Sequence, residues 1–89
     1  MKDIALSGDF VKRVKEIRNK DRNLYKKIKK QLELFQNNPH HPSLRTHKLT
    51  GSLKNVWSIS IDKNYRILYQ DGNLYYFFAL GTHDQVYKS

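Results

Sequence analysis

The sequence predicts an α+β domain in which two helices pack on one face of an antiparallel sheet. In the first 38 residues, apolar residues recur every three or four positions, the spacing of amphipathic helices. In residues 56–61 apolar and polar residues alternate, the period of a half-buried strand, and residues 74–80 are apolar on both faces, as in a central strand. A chain of 89 residues has material for one hydrophobic core, so we expect a single domain over residues 1–89.

The N-terminal part predicts a short strand followed by an antiparallel helical hairpin. Residues 3–6 are the strand candidate, and Ser7 is suited to cap the first helix. Asp21 is suited to cap the second helix, which ends before Pro39 because proline disfavours helix in the preceding residue. The apolar stripes of the two helices are formed by Phe10, Val14, Ile17, Leu24, Ile28, Leu32 and Phe35.

The C-terminal part predicts a meander of three antiparallel strands with the sequences VWSISID, YRILY and NLYYFFALG. A three-residue loop over 62–64 would pair Ser60 with Arg66, and a two-residue loop at Asp71-Gly72 would pair Arg66 with Phe77. The predicted helix-covered face holds Trp57, Ile59, Ile61, Tyr65, Ile67, Tyr69, Leu74, Tyr76, Phe78 and Leu80. The opposite face is predicted to hold Ser58, Ser60, Arg66, Leu68, Tyr75, Phe77 and Ala79.

The charge balance indicates an anionic partner. The chain has 17 lysines and arginines against 8 acidic residues, a formal net charge of +9. Such an excess opposes folding through self-repulsion, so nucleic acid is the leading partner candidate and an acidic protein the second. The plain alternative is a basic protein without an anionic partner.

Cysteine is absent, which excludes disulfides and thiolate metal sites. The first ten residues lack the apolar stretch of a signal peptide, and no later segment has the length of a membrane span. We therefore expect a cytoplasmic protein that does not bind membranes.

Arg66, His47 and His83 are candidates for a catalytic role. An arginine in a strand is often a solvated outer-face residue, yet its guanidinium matches two phosphate oxygens. His83, after the last strand, is either a surface group or a proton-transfer group, because imidazole titrates near neutral pH. His47, between basic neighbours, has the same two interpretations.

The remaining candidates are less informative. Tyr87 is either an anchor for the chain end or a ring that stacks on a base. His40 and His41 lie beside prolines and have no metal-binding spacing, so they are expected to be surface residues. No carboxylate pair, glycine-rich phosphate loop or nucleophilic serine motif is present. Acid–base chemistry assisted by arginine, without metal or cofactor, is the enzymatic mode best supported.

Short motifs spread along the chain resemble those of RelE/StbE-type toxins of type II toxin–antitoxin systems, especially the YafQ-like mRNA interferases. They are HKLTG at 47–51, WSI at 57–59, YRILY at 65–69 and GTHDQVY at 81–87. The resemblance covers essentially the whole chain and implies a RelE-like fold. It also implies a metal-independent endoribonuclease that cleaves mRNA, commonly in the ribosomal A site. An acidic antitoxin would neutralise it, and the free toxin is expected to be a monomer.

In this family the ribose 2′-hydroxyl attacks the adjacent phosphate, giving a cyclic phosphate and a free 5′-hydroxyl. By resemblance, His47 helps to remove the 2′-hydroxyl proton, Arg66 stabilises charge on the phosphate and His83 protonates the leaving oxygen. Tyr87 matches an aromatic position used for positioning or stacking. Residues expected to hold the RNA backbone are Arg45, Lys48 and Lys54.

One mechanistic question and two alternative functions stay open. YafQ-like toxins have acidic and histidine side chains where this chain has Ser58, Ser60 and Asn64, so the division of acid and base between the two histidines is undecided. The ParE-like branch shares the fold but inhibits DNA gyrase without cleaving RNA. A non-catalytic RNA-binding module is the other alternative. Two histidines together with an arginine favour the nuclease.

Overall fold

The computed structural model describes residues 2–49 and 55–87. In chain order the elements are β1 (Ile4–Leu6), α1 (Gly8–Lys20), α2 (Arg22–Asn37), a 3₁₀ turn (Pro42–Leu44), β2 (His47–Lys48), β3 (Val56–Ser60), β4 (Tyr65–Asp71), β5 (Tyr75–Thr82) and α3 (His83–Tyr87).

The strands form one five-stranded sheet in the order β1-β5-β4-β3-β2. The predicted antiparallel meander is confirmed as β3-β4-β5. The sheet extends beyond it on both sides, because β1 pairs with β5 in parallel and β2 pairs with β3 in antiparallel orientation. The α+β prediction is confirmed.

Both predicted helix caps are present. The Ser7 hydroxyl oxygen accepts a hydrogen bond from the Phe10 N–H at 3.0 Å. The Asp21 carboxylate accepts one from the Leu24 N–H at 3.1 Å. Each cap satisfies a backbone donor that has no partner inside its helix, which explains why two helices begin within so short a stretch.

The main core lies between α1, α2 and one face of the sheet. Its buried members are Phe10, Ile17, Leu24, Ile28, Phe35, Leu44, Ile59, Ile61, Ile67, Tyr69, Phe77 and Leu80. A second, smaller cluster of Val56, Leu68 and Val86 lies on the other face, where α3 packs. The two helices of the hairpin and α3 therefore cover opposite faces of the sheet.

The predicted strand register is right in one hairpin and wrong in the other. Ser60 pairs with Arg66 as predicted. Between β4 and β5 the loop is longer than two residues, since Asp71 still pairs with Tyr75. A bulge at Phe78 adds a second shift, and Arg66 consequently pairs with Gly81 instead of Phe77.

The longer loop reverses the predicted faces of the first half of β5, and the bulge restores them in the second half. Tyr75 and Phe77 pack against the helix-side core, although the sequence predicted them on the opposite face. Phe78 packs with the smaller cluster, and Tyr76 stacks on it with ring centroids 6.3 Å apart. Leu74, predicted on the helix side, is exposed. Each one-residue shift moves a side chain to the other face, so turn length and bulge together decide the outcome.

No helix within residues 2–49 and 55–87 combines the length and apolar character needed to cross a bilayer. The same residues contain no group of three or more histidines and carboxylates placed to hold a metal ion.

Candidate active site

Arg66 lies on the sheet face that α1 and α2 leave free. Its neighbour Ile67 belongs to the helix-side core, whereas Leu68 belongs to the cluster on the other face. Because side chains alternate along a strand, Arg66 shares the face of Leu68. Arg66 as a whole is half-buried.

His47 lies on the same face, two strands away. It pairs with Ser58 across β2 and β3, and Ser58 in turn pairs with Leu68 across β3 and β4. Cross-strand partners point to the same side, so His47 and Arg66 share a face. Their strands are about 10 Å apart, two strand spacings, within reach of two long side chains that converge.

His83 and Tyr87 are the first and last residues of α3, which the sequence analysis missed. This short helix begins with a reciprocal capping box in Thr82-His83-Asp84-Gln85. The Thr82 N–H donates to the Gln85 side-chain oxygen at 2.9 Å, and the Gln85 N–H donates to the Thr82 hydroxyl oxygen at 3.3 Å. The T-x-x-Q pattern was the signal that could have revealed it.

The helical spacing brings His83 and Tyr87 into contact. Their ring centroids are 4.4 Å apart, with the ring planes inclined by 54°. Val86, between them in sequence, is buried against Leu68 and Val56 and attaches α3 to the sheet. The imidazole therefore stands on an anchored element and not on a loose chain end.

One cavity of about 530 Å³ is lined by Arg45, His47, Leu49, Arg66, His83 and Tyr87. The structure thus brings together the four predicted catalytic residues and Arg45. Leu49 is a lining residue that the sequence analysis missed, although it lies within the HKLTG motif. Its apolar side chain packs with the smaller cluster at the cavity wall.

The strand order places Arg66 between the two histidines. His47 is on β2, Arg66 is on β4, and His83 directly follows β5, while the sheet runs β5-β4-β3-β2. A group bound at the guanidinium therefore has one imidazole on each side.

The sequence profile of the ParE-like toxin domain matches residues 22–87 of the chain. The chain belongs to the ParE-like toxin domain family.

Solved structures support the same family. The crystal structure of YafQ from E. coli strain BL21(DE3) is 29% identical over 98% of this toxin and 99% of that chain, with a TM-score of 0.76. YafQ in the E. coli DinJ–YafQ toxin–antitoxin complex is 30% identical, with 97% of each chain covered and a TM-score of 0.76. The predicted resemblance to YafQ-like toxins of toxin–antitoxin systems is confirmed.

More distant structures share the fold. YoeB in the YoeB–YefM complex from Staphylococcus aureus is 21% identical over 93% of this toxin and 98% of that chain, with a TM-score of 0.74. A search of curated proteins found no significant match.

Arg45 and Arg66 give the cavity of this toxin a positive charge. Two guanidinium groups and two imidazoles line it, and no carboxylate is among its described lining residues. The Asp84 carboxylate lies 3.7 Å from His83 Nδ1, and both side chains are more than 70% exposed. Solvent weakens such a contact, so the surface attracts phosphate.

Of the other two predicted RNA-binding residues, Lys48 lies away from the cavity. Lys48 is adjacent to His47 on β2 and therefore points to the other face, where its ammonium lies 5.8 Å from the Trp57 ring centroid. It does not line the cavity. Lys54 lies outside the described residues.

Proposed function

We propose that this toxin is a metal-independent endoribonuclease, an mRNA interferase. The observation that carries the proposal is the cavity in which His47 and His83 flank Arg66. Cleavage by an internal nucleophile needs a proton acceptor on one side of the phosphate and a proton donor on the other. It also needs positive charge at the phosphate itself.

In the proposed reaction one imidazole removes the proton of the ribose 2′-hydroxyl. The bond between O2′ and phosphorus forms, and the bond between phosphorus and O5′ breaks. The other imidazole donates its proton to O5′, which yields a 2′,3′-cyclic phosphate and a free 5′-hydroxyl. Arg66 stabilises the charge that develops on the non-bridging oxygens.

Tyr87 and Arg45 are proposed to position the substrate and the acid–base group. The Tyr87 ring restricts the His83 imidazole through their contact and offers a face on which a base can stack. Arg45 holds a neighbouring phosphate. It has a left-handed backbone conformation, with φ 48°, where the chain leaves the 3₁₀ turn and enters β2. Lys48 and Lys54 are proposed to contact more distant parts of the RNA backbone.

The proposed partners are mRNA, bound in the ribosomal A site, and an acidic antitoxin encoded with the toxin. The net charge of +9 suits both partners. The DinJ–YafQ structure is a toxin–antitoxin complex, and this supports an antitoxin partner for the present toxin as well. We propose that the protein acts in the cytoplasm and is a monomer when free.

His83→Ala tests the proposed reaction. We expect the variant to lose about 10²–10⁴-fold in the rate of mRNA cleavage, because one general acid–base group contributes about that much. The measurement is the single-turnover rate on a labelled RNA, with the cyclic-phosphate product identified by mass spectrometry. Growth arrest on expression should be lost in parallel, and wild-type cleavage should persist in excess EDTA.

His40→Ala is the matched control, because His40 is exposed and does not line the cavity. Wild-type rates in the His83→Ala variant would refute the proposal.

A substrate with sulfur in place of the 5′-oxygen shows which histidine is the acid and which is the base. A thiolate leaves without an acid, because the pKa of a thiol is about 8.5. Whichever histidine variant this substrate rescues has lost the acid.

Inhibition of DNA gyrase is the second candidate, favoured by the match to the ParE-like domain profile. It predicts loss of supercoiling activity when the toxin is added to gyrase and intact mRNA on ribosomes. A His83→Ala variant that still blocks supercoiling and growth would assign this function instead.

A further inference from the structure

A second cationic surface lies where α1 ends and α2 begins. Six residues line a cavity of about 420 Å³ there, which we name the hairpin groove: Arg18, Asn19, Arg22, Tyr25, Lys26 and Lys29. Four of the six side chains are cationic, and the four are exposed.

The cations of the hairpin groove are not neutralised within the described part of the chain. Among the described residues, the lysines that form ion pairs are Lys2 and Lys27, and neither of them lines the groove. Within α2, Arg22 and Lys26 are four residues apart, and Lys26 and Lys29 are three apart, so like charges are neighbours on the helix surface. This arrangement opposes helix formation and calls for an anionic partner.

The chemistry of the lining favours nucleic acid over an acidic protein. Arginine, lysine, asparagine and tyrosine are side chains that contact phosphate oxygens in nucleic-acid complexes. Aliphatic residues are absent from the described lining, whereas protein interfaces have an apolar centre. The Lys29 ammonium lies 5.7 Å from the Tyr25 ring centroid, so the aromatic ring helps to hold one of the cations.

The hairpin groove is separate from the candidate active site. The groove belongs to α1 and α2, which cover one face of the sheet, while Arg66 lies on the other face. The shortest dimension of the molecule is 25 Å. A partner that reaches both surfaces must therefore be larger than the few nucleotides that fill the cavity.

We propose that the hairpin groove binds the phosphate backbone of a double-helical nucleic acid and thereby docks the toxin on a folded partner. Three of the cations span about two turns of α2, and Arg18 lies in the last turn of α1, so the four match a row of phosphates rather than one anion. The proposal goes beyond RNA cleavage and does not depend on it.

The test compares two triple variants with equal loss of charge. The groove variant is Arg22→Gln, Lys26→Gln and Lys29→Gln. The control variant is Lys12→Gln, Lys15→Gln and Lys63→Gln, three exposed lysines outside the groove. Binding is measured by fluorescence anisotropy over a range of NaCl concentrations. The probes are a 2′-O-methyl RNA hairpin, which has no 2′-hydroxyl nucleophile, and a DNA hairpin of the same sequence.

We expect the groove variant to lose about 10-fold or more in affinity and about two to three units of salt slope, roughly one for each removed phosphate contact. The control variant should lose much less. A loss of affinity for the RNA hairpin alone identifies RNA as the partner. An equal loss for both hairpins shows that the groove binds the phosphate backbone of either nucleic acid. Thermal unfolding should show the groove variant at least as stable as the wild type, because it lacks the like-charge pairs.

Equal losses in the two variants would overturn the proposal, as would unchanged hairpin binding in the groove variant. Loss of binding to polyglutamate without loss of binding to either hairpin would assign the groove to an acidic protein instead. Cleavage of a six-nucleotide single strand should stay within about two-fold of wild type in the groove variant. Failure of the groove proposal is thus distinguishable from failure of the nuclease proposal.

Discussion

Asp62 organises the loop between β3 and β4 and so the start of the strand that carries Arg66. Partial burial of its carboxylate raises the pKa, but hydrogen bonds from the N–H groups of Asn64 and Tyr65 and the nearby Lys27 ammonium outweigh burial and leave the pKa below its ordinary value. The two N–H groups lie 2.8 Å from the carboxylate, and the ammonium lies 3.4 Å away. The sequence suggested a loop at this place, and the aspartate explains its length.

A depressed pKa gives a specific pH dependence. The stability due to ionised Asp62 is fully present above the unfolded-state pKa of about 3.9 and is lost as the pH falls through the lower folded-state pKa. Asp62→Ala should lower the free energy of unfolding by about 1–3 kcal/mol at pH 7, because two backbone donors lose a charged acceptor. Asp62→Asn, which keeps an acceptor oxygen, should lose less.

Urea unfolding of the wild type and both variants between pH 7 and pH 2.5 is the measurement. The gap between wild type and Asp62→Asn should close below about pH 3.9. A gap that stays constant over this range would show that the charge of Asp62 does not stabilise the fold.

α3 is a five-residue helix that positions half of the candidate active site. So short a helix is not stable alone, so its capping box and the buried Val86 must hold it. Gly81 leaves room for the same capping box. A Cβ atom at Gly81 would lie 2.6 Å from the Gln85 side-chain oxygen and would displace the side chain that reaches back to cap the helix.

Removing the capping box should reduce cleavage while the sheet stays folded. We expect Thr82→Ala with Gln85→Ala to destabilise α3 by about 1 kcal/mol or more and to lower the cleavage rate by about 10-fold. Hydrogen exchange should become faster in residues 82–87 and stay unchanged in β3 and β4.

The single variant Gln85→Glu should retain cleavage, because glutamate also completes a capping box with Thr82. Gln36→Ala, at an exposed position of α2, is the control of similar size. Undiminished cleavage in the double variant would mean that His83 does not need the helix.

At the scale of the whole molecule, an aromatic cluster within the main core joins α2 to the sheet. The Phe35 ring lies 5.0 Å from Tyr69, 4.9 Å from Tyr75 and 5.1 Å from Phe77, measured between centroids, and all three contacts are edge-to-face. The three-residue loop over 72–74 sets the register that turns Tyr75 and Phe77 toward this cluster. The bulge at Phe78 then places Gly81 opposite Arg66 and so sets where α3 begins relative to the guanidinium.

Phe35→Ala should therefore weaken the entire fold. Truncation of a buried phenylalanine costs about 3–5 kcal/mol, a large part of the 5–15 kcal/mol typical of a domain. Urea unfolding should show one cooperative transition at a much lower midpoint. Leu6→Ala, at a side chain that is 47% exposed, is the control and should shift the midpoint little. Comparable midpoint shifts in the two variants would contradict a central role for the cluster.

Patterns within a few residues predicted what local forces decide. Helical periodicity and the oxygen atoms of Ser7 and Asp21 were sufficient for α1 and α2, because a cap acts on N–H groups three residues away. Alternation in residues 56–61, the turn signals and the apolar run at 74–80 were sufficient for three strands, and residue chemistry with motif resemblance selected the candidate site residues.

Only the tertiary structure decided which side chains share a face and a cavity. The loop between β4 and β5 has three residues instead of the two predicted at Asp71-Gly72, so the predicted faces of the first half of β5 were wrong. The bulge at Phe78 has no sequence signal of its own. Lys48 and His47 are adjacent in sequence, yet strand alternation separates them, while His47 and His83 are distant in sequence and line one cavity. Contacts between segments far apart along the chain depend on the whole sheet, which no short stretch of sequence specifies.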